Sequence, residues 1–218
     1  MTAGVDPNDY VISRKRKKYR FALFHNSPLC FEHEEWDTSW NPDVIEVGAG
    51  TGLFSVEQAK LHPEKRFLAV DVKGDRLQKG AREAESHGLT NIRFLRTRAD
   101  RIGEIVPKNT VDTIWVTFPD PFPKKRSASR RLTHPYYLAI YQSLLKESGS
   151  MLFKTDAREL FTWSLERLVE SGWCIAKLSF DLHESNLFDD YKLMTTYEQR
   201  WIGEGASIGF VAATPPNI

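Results

Sequence analysis

Cysteine is scarce in this sequence, and what there is does not pair. Cys30 and Cys174 are the only two in 218 residues, they lie far apart, and neither sits in a CxxC pair. No histidine cluster has metal-ligand spacing, so a disulfide scaffold and a structural zinc are disfavoured, and buried, reduced thiols with no metal are expected. Long hydrophobic runs are missing too, with no apolar stretch approaching the length needed to cross a bilayer. The opening residues MTAGVDPNDY have neither the basic start nor the apolar stretch of a secretory signal. A soluble, cytoplasmic protein with no membrane partner is the expectation. Excess charge of one sign is also absent, the formal net charge being +1. There is no internal repeat and no low-complexity segment.

What is present begins with length: 218 residues can build one substantial domain with its own core. The near-neutral total conceals an uneven layout. Six of the seven residues from Arg14 to Arg20 are basic, as are five of the eight from Lys124 to Arg131, and acids such as Glu32, Glu34, Glu35 and Asp37 stand elsewhere. One such run is ordinarily a solvated face or a loose arm. Two in one small domain point to a phosphate-bearing partner. Residues 1–20 are too polar to bury and are expected as a mobile basic arm, with 21–218 forming a single domain.

From Asn41 onward, short apolar strands alternate with helical segments, the pattern of an α/β protein with a parallel sheet. Strands are expected at VIEV (44–47), RFLAVD (66–71), NIRFL (91–95), VDTIWVTF (111–118) and SMLFKTD (150–156), with CIAKLSF (174–180) and IGFVAA (208–213) closing the sheet. Pro135 suits a first helical turn, followed by an apolar face of Leu138, Tyr141, Leu144 and Leu145. A second helix after Asp156 carries Leu160, Phe161, Leu165, Leu168 and Val169 at similar spacing.

The motif EVGAGTG follows the first of these strands, with glycines at 48, 50 and 52. Glycines so placed allow a tight turn and let a ligand approach the backbone. Asp71 ends the next strand, where a carboxylate can accept two hydrogen bonds from a ribose diol. A dinucleotide fingerprint would need glycine at 53, and the chain has Leu53. Glu46 is an acid inside an apolar strand, and burying it demands a partner such as a ligand's ammonium or ordered backbone groups. A purely structural glycine turn is the plainer alternative. The combination of Glu46, the turn and Asp71 favours S-adenosylmethionine.

The stretch FPDPFPKKRSASRRLTHP, residues 118–135, sets three prolines around Asp120 and then runs into the second basic block. Proline fixes its own φ, removes a backbone donor and pushes its predecessor toward an extended shape, so the stretch reads as a stiff, non-helical ledge at the end of the fourth expected strand. Ligands of parallel sheets bind at the carboxyl ends of their strands. Asp120 is thereby presented with little freedom, and Phe122 can offer an aromatic surface to a base.

Taken together, these motifs resemble the tRNA (guanine-N7)-methyltransferase family of the bacterial TrmB type over roughly residues 41–213. Glu46 with GAGTG, FPDPFPKKR, RRLTHP, FKTD with RELF, LDLH and TTYE fall in the family's order and at about its spacing. The resemblance implies a class I S-adenosylmethionine-dependent methyltransferase fold of seven strands with helices on both faces. It implies transfer of a methyl group from S-adenosylmethionine to N7 of a guanine in the variable loop of tRNA, by a monomer or homodimer. Residue by residue, it implies cofactor contacts at Glu46, Gly48, Gly50, Asp71 and Ala99, and a catalytic Asp120 where cofactor and guanine meet. It further assigns Lys124, Asp156, Thr195 and Glu198 to the substrate and Arg126, Arg130 and Arg131 to RNA. The chain departs from the family at Arg98, where Asp or Asn is usual, at Phe122 in place of Trp, and at Ser127 and Ser129 in the basic loop. A methyltransferase with another substrate and a non-catalytic RNA-binding relative remain as alternatives.

Overall fold

A computed structural model describes residues 4–12, 14–194, 198, 202–203 and 205–216. In chain order its elements are α1 (Lys15–His25), β1 (Cys30–Glu32), β2 (Val44–Val47), α2 (Leu53–Leu61), β3 (Phe67–Asp71), α3 (Gly74–Ser86), β4 (Ile92–Arg96), β5 (Val111–Thr117), α4 (Pro135–Leu144), β6 (Leu145–Thr155), α5 (Arg158–Glu170), β7 (Cys174–Ser179) and β8 (Gly209–Thr214), joined by loops and short 3-10 turns. The strands form one sheet in the order β1-β4-β3-β2-β5-β6-β8-β7. From β1 to β6 the neighbours are parallel, and β8 runs antiparallel to both of its neighbours.

All seven expected strands are present, and an eighth was not foreseen. β1 has only three residues, too few to show an alternating pattern, and it exists because Cys30 to Glu32 pair with Phe94 to Arg96 of β4. The chain lays β2 centrally, builds outward to β3 and β4 on one side, and then returns to add β5 and β6 on the other. That reversal opens a crevice at the carboxyl ends of β2 and β5, where ligands of such sheets bind.

Each face of the sheet is covered. Ile45, Val47, Leu68, Val70, Ile114, Val116, Met151 and Phe153 pack with Leu138, Tyr141 and Leu144 of α4 and Leu160, Phe161 and Leu168 of α5. On the other face Val44, Phe67, Ala69, Phe94 and Trp115 pack with Phe24 of α1, Phe54 and Val56 of α2, and Leu77 and Ala81 of α3. Pro135 occupies the first turn of α4, with the His134 side chain accepting a hydrogen bond from the Tyr136 amide. Val169, expected on the buried face of α5, is 63% exposed, because that face is narrower than the spacing suggested.

Two other expectations are corrected. The basic run foreseen as an arm over 1–20 becomes, from Lys15 onward, the first half of α1, which continues through Arg20 and buries Ala22 and Phe24. Its polar residues remain outside while the helix as a whole is anchored by its second half. Cys30 is buried, and burial pushes its thiol up to about 12. Cys174 is exposed because β7 is the edge of the sheet.

Candidate active site

The loops at the crevice enclose a cavity of about 700 Å³. Of the residues singled out from sequence, Glu46, Gly48, Gly50, Asp71, Ala99, Asp120 and Arg130 line it together, joined by Phe122. Lys124, Arg126, Arg131, Asp156 and Glu198 are not in its wall. Thr195 lies outside the described residues.

The turn after β2 depends on glycine for two different reasons. Gly52 has φ +70° and caps α2, and a Cβ there would stand 2.6 Å from the Phe94 ring. Gly50 has φ +58°, but a Cβ there would meet nothing within 4 Å, so its backbone is left open to whatever fills the cavity. Asp71 organises this turn. Its carboxylate accepts hydrogen bonds from the Gly50 and Lys73 amides, both at 2.8 Å. Burial pushes the Asp71 carboxyl above its ordinary range, opposed by those two amides and by Lys73 and Arg76.

Beneath the turn, three adjacent strands carry polar groups on one face. Glu46 of β2 accepts from the hydroxyls of Ser55 and Thr117, both at 2.6 Å. Thr117 of β5 pairs in register with Lys154 of β6. Burial pushes the Glu46 carboxyl up, and the two hydroxyls and Lys154 oppose that shift. The partner sought for this buried acid is thus largely internal. Lys154 is fully buried and donates to Glu198 at 2.6 Å and to the Leu193 carbonyl at 2.7 Å. Burial pushes the Lys154 ammonium below its ordinary range, while Glu198 and Glu46 raise it.

Glu198, expected at the substrate, is itself fully buried, with Lys154 on one carboxylate oxygen and His183 Nε2 at 2.8 Å on the other. Both oxygens of the carboxylate expected at the substrate are thus engaged within the protein. Lys154 is a residue that sequence reasoning missed. The signal was available: a lysine inside the apolar strand SMLFKTD poses the same question as an acid inside VIEV.

The proline ledge is irregular, as its composition requires. Phe118 and Phe122 adopt φ of +45° and +41°, left-handed conformations that side-chain-bearing residues disfavour. Asp120, between them, is exposed and lines the cavity. Behind the ledge, Lys124 and Arg126 are exposed, and Arg130 lies over the Phe122 ring at 4.3 Å. Arg131 differs from its neighbour. It is 8% exposed, and its guanidinium donates to the carbonyls of Pro121 at 3.2 Å and Phe122 at 3.1 Å. The guanidinium expected at RNA is thus turned inward, toward the ledge. Asp156, half-buried at the end of β6, lines a second cavity of about 270 Å³ with Arg158 and Phe180.

Arg98 does not leave the end of β4 without an acid. It forms a two-pronged ion pair with Asp100, at 2.9 and 2.6 Å, which holds the Asp100 carboxyl below its ordinary range. Both residues line the cavity beside Ala99. Among the described residues no group of histidine, cysteine and carboxylate side chains could hold a metal ion, and no helix is long and apolar enough to cross a membrane.

A mostly parallel sheet with this strand order, a glycine turn after its central strand and an acid at the end of the next defines the class I methyltransferase fold. Among solved structures, the 16S rRNA methyltransferase KamB superposes with a TM-score of 0.62 at 19% identity, over 83% of this chain and 91% of that one. The family described as "Putative methyltransferase" matches residues 40–210. The tRNA (guanine-N(7)-)-methyltransferase of Bacteroides fragilis is 35% identical over 204 residues, covering 92% of this chain and 80% of the relative. That of Staphylococcus saprophyticus is 36% identical over 174 residues, covering 80% and 82%. The chain belongs to the tRNA (guanine-N7)-methyltransferase family.

Proposed function

We propose that this protein transfers a methyl group from S-adenosylmethionine to N7 of a guanine in the variable loop of tRNA. The observation that carries the reading is the meeting of the glycine turn, Asp71 and the Asp120 ledge in one cavity, in a chain of this family. The cavity suits a nucleoside-bearing cofactor: it falls within the size range of small-molecule sites, the Gly50 backbone is open, and Asp71 keeps acceptor capacity beyond its two amides for a ribose diol. Gly48, Gly50, Asp71 and Ala99 would hold the cofactor, with Glu46 at the floor. S-adenosylmethionine supplies, when bound, a methyl group made electrophilic by its positive sulfur.

Neutral guanine already has a lone pair on N7, so no residue has to remove a proton to create the nucleophile. Orientation is then the main requirement, and holding two reactants in line can supply much of the acceleration. The purine gains positive charge as N7 takes the methyl, and a fixed carboxylate at Asp120 stabilises it. Phe122, with Arg130 against its ring, offers the base an aromatic edge, and Lys124, Arg126 and Arg130 supply cations for the RNA backbone. Asp156, which lines the second cavity rather than this one, is the acceptor assigned to the guanine's Watson-Crick edge, and the base must leave its stack to be reached.

The deciding experiment is to incubate the protein with tRNA and S-adenosylmethionine, digest the RNA, and identify the modified nucleoside and its position. 7-Methylguanosine in the variable loop is expected, and methyl transfer to another atom or to protein would sink the reading. Asp120→Asn, which keeps shape and removes charge, should lower the single-turnover rate by about 10²–10³-fold while both ligands still bind. A carboxylate-like limb in the wild-type pH profile, with both ligands saturating, would instead make Asp120 a base.

A further inference from the structure

Arg130 and Arg131 are adjacent in a basic loop, yet they face different problems. Arg130 is exposed and lines the cavity. Arg131 is enclosed, its guanidinium 4.5 Å from the centre of the Trp163 ring on α5. Leu132 and Thr133, the two residues that follow Arg131, fix the chain beside this arrangement. Leu132 stands where a Cβ on Gly48 would come within 2.8 Å of it, and the buried Thr133 hydroxyl bonds that of Ser164 at 2.7 Å. The base of the Arg131 side chain is thus anchored both to the glycine turn and to α5.

The ledge is tied to β6 at its start, where the Phe118 amide donates to the Lys154 carbonyl at 2.9 Å, but beyond Phe118 it is short of backbone donors. Pro119, Pro121 and Pro123 have no amide hydrogen, no regular secondary structure covers 119–123, and Phe118 and Phe122 sit in left-handed conformations. Such conformations persist where the surroundings over-determine them. The two carbonyls that follow Asp120 in the chain, those of Pro121 and Phe122, are the ones that receive the Arg131 Nε and Nη2 hydrogens. A planar guanidinium offers two donors in a fixed fork, which a lysine cannot reproduce.

We propose that Arg131 is a positioning residue for methyl transfer: seated on Trp163, it clamps the carbonyls of Pro121 and Phe122 and so fixes where Asp120 stands relative to the glycine turn. This rests on the assignment of Asp120 to the reacting centre. It gives the second arginine of the pair a role separate from RNA contact, with Arg130 left as the cation that meets the phosphate backbone.

The test compares Arg131→Lys and Arg131→Met with Arg130→Ala. Single-turnover methylation is measured with tRNA and S-adenosylmethionine both saturating, and tRNA affinity is measured across a salt series. Both Arg131 variants should lose about a hundred-fold in rate, the scale of a small misplacement of a reacting group, while tRNA affinity and its salt slope stay at wild-type values. Arg130→Ala should weaken tRNA binding and make the log-log slope shallower by about one unit, which neither Arg131 variant should do. In a third variant, Arg131→Ala, added guanidinium should restore part of the lost rate when compared with sodium chloride at equal ionic strength. If the Arg131 variants keep the wild-type rate the proposal fails, and if they lose only tRNA affinity with a shallower slope the residue is instead a phosphate contact. Should Arg131→Met not fold, Trp163→Leu removes the platform instead, and an unchanged rate there also overturns the clamp. Hydrogen exchange at the Asp120 and Phe122 amides gives a readout independent of the substrate: faster exchange in Arg131→Lys supports the clamp, and unaltered exchange contradicts it even if the guanine reading itself were to fail.

Discussion

On the β2–β3 side of the cavity, acids are held by neutral donors: Asp71 by the Gly50 and Lys73 amides, and Glu46 by the Ser55 and Thr117 hydroxyls. On the β6 side, charges are held by each other, Lys154 by Glu198 and Glu198 by Lys154 and His183. The first arrangement buries one charge and leaves its donors neutral when the acid is altered. The second removes two ions from water, and each is tolerable only while the other is present. Substitutions on the first side should therefore act mainly on ligand binding, and substitutions on the second mainly on the integrity of the fold.

The largest expected effect breaks the ionic side. Lys154→Met leaves Glu198 buried without its ammonium partner and should lower stability to urea unfolding by about 3–5 kcal/mol, the range for breaking a buried pair from one end. Lys154→Met combined with Glu198→Leu should recover much of that loss, because the uncompensated charge is removed with its partner. A single substitution costing under about 1 kcal/mol, the level of an exposed pair, would show that the two sides do not differ as argued.

The two sides also differ in how far they can be read from sequence. Asp71 meets Lys73 two residues on and Gly50 21 residues back, and Ser55 lies nine residues from Glu46, all within one β-turn-α-β unit that a local motif describes, while Thr117, 71 residues from Glu46, comes from outside it. The cofactor half of the cavity is legible for that reason. Lys154 and Glu198 are 44 residues apart, and nothing local announces their meeting. Arg131 shows a second limit. Composition places it in a basic run with Arg130, and only the fold turns one arginine inward and leaves the other out. β1 and the exposure of Cys174 are missed on similar grounds, since both follow from where the sheet ends rather than from any periodicity.

A middle-sized effect sharpens the comparison within the glycine turn. Alanine at either Gly50 or Gly52 must adopt a left-handed conformation, at about 1–2 kcal/mol. At Gly52 the new methyl also runs into Phe94, so thermal unfolding of Gly52→Ala should fall by more than that conformational term alone. At Gly50 the methyl enters open space inside the cavity, so Gly50→Ala should lose less stability and more cofactor affinity, read by calorimetry with S-adenosylmethionine. Equal losses of stability with unchanged affinity would place the cofactor elsewhere.

The smallest expected effect concerns Asp71 and pH. Its folded-state pKa is raised by burial, against the pull of its amide donors and of Lys73 and Arg76. Between the unfolded value of about 4 and the raised folded value, the folded protein still binds a proton that the unfolded chain has released. Stability therefore falls as pH rises through that window and is level above it. Asp71→Asn has no such proton, so the stability of wild type relative to Asp71→Asn should decline across the same interval. A ribose diol donating to the carboxylate favours its charged form, so cofactor affinity should strengthen over the interval in which stability weakens. If the wild type instead gained stability over Asp71→Asn with rising pH, the two amides would outweigh burial. Asp71 would then hold the turn together as an ordinary depressed carboxylate, and the contrast between a ligand-binding side and a structural side would lose its clearest member.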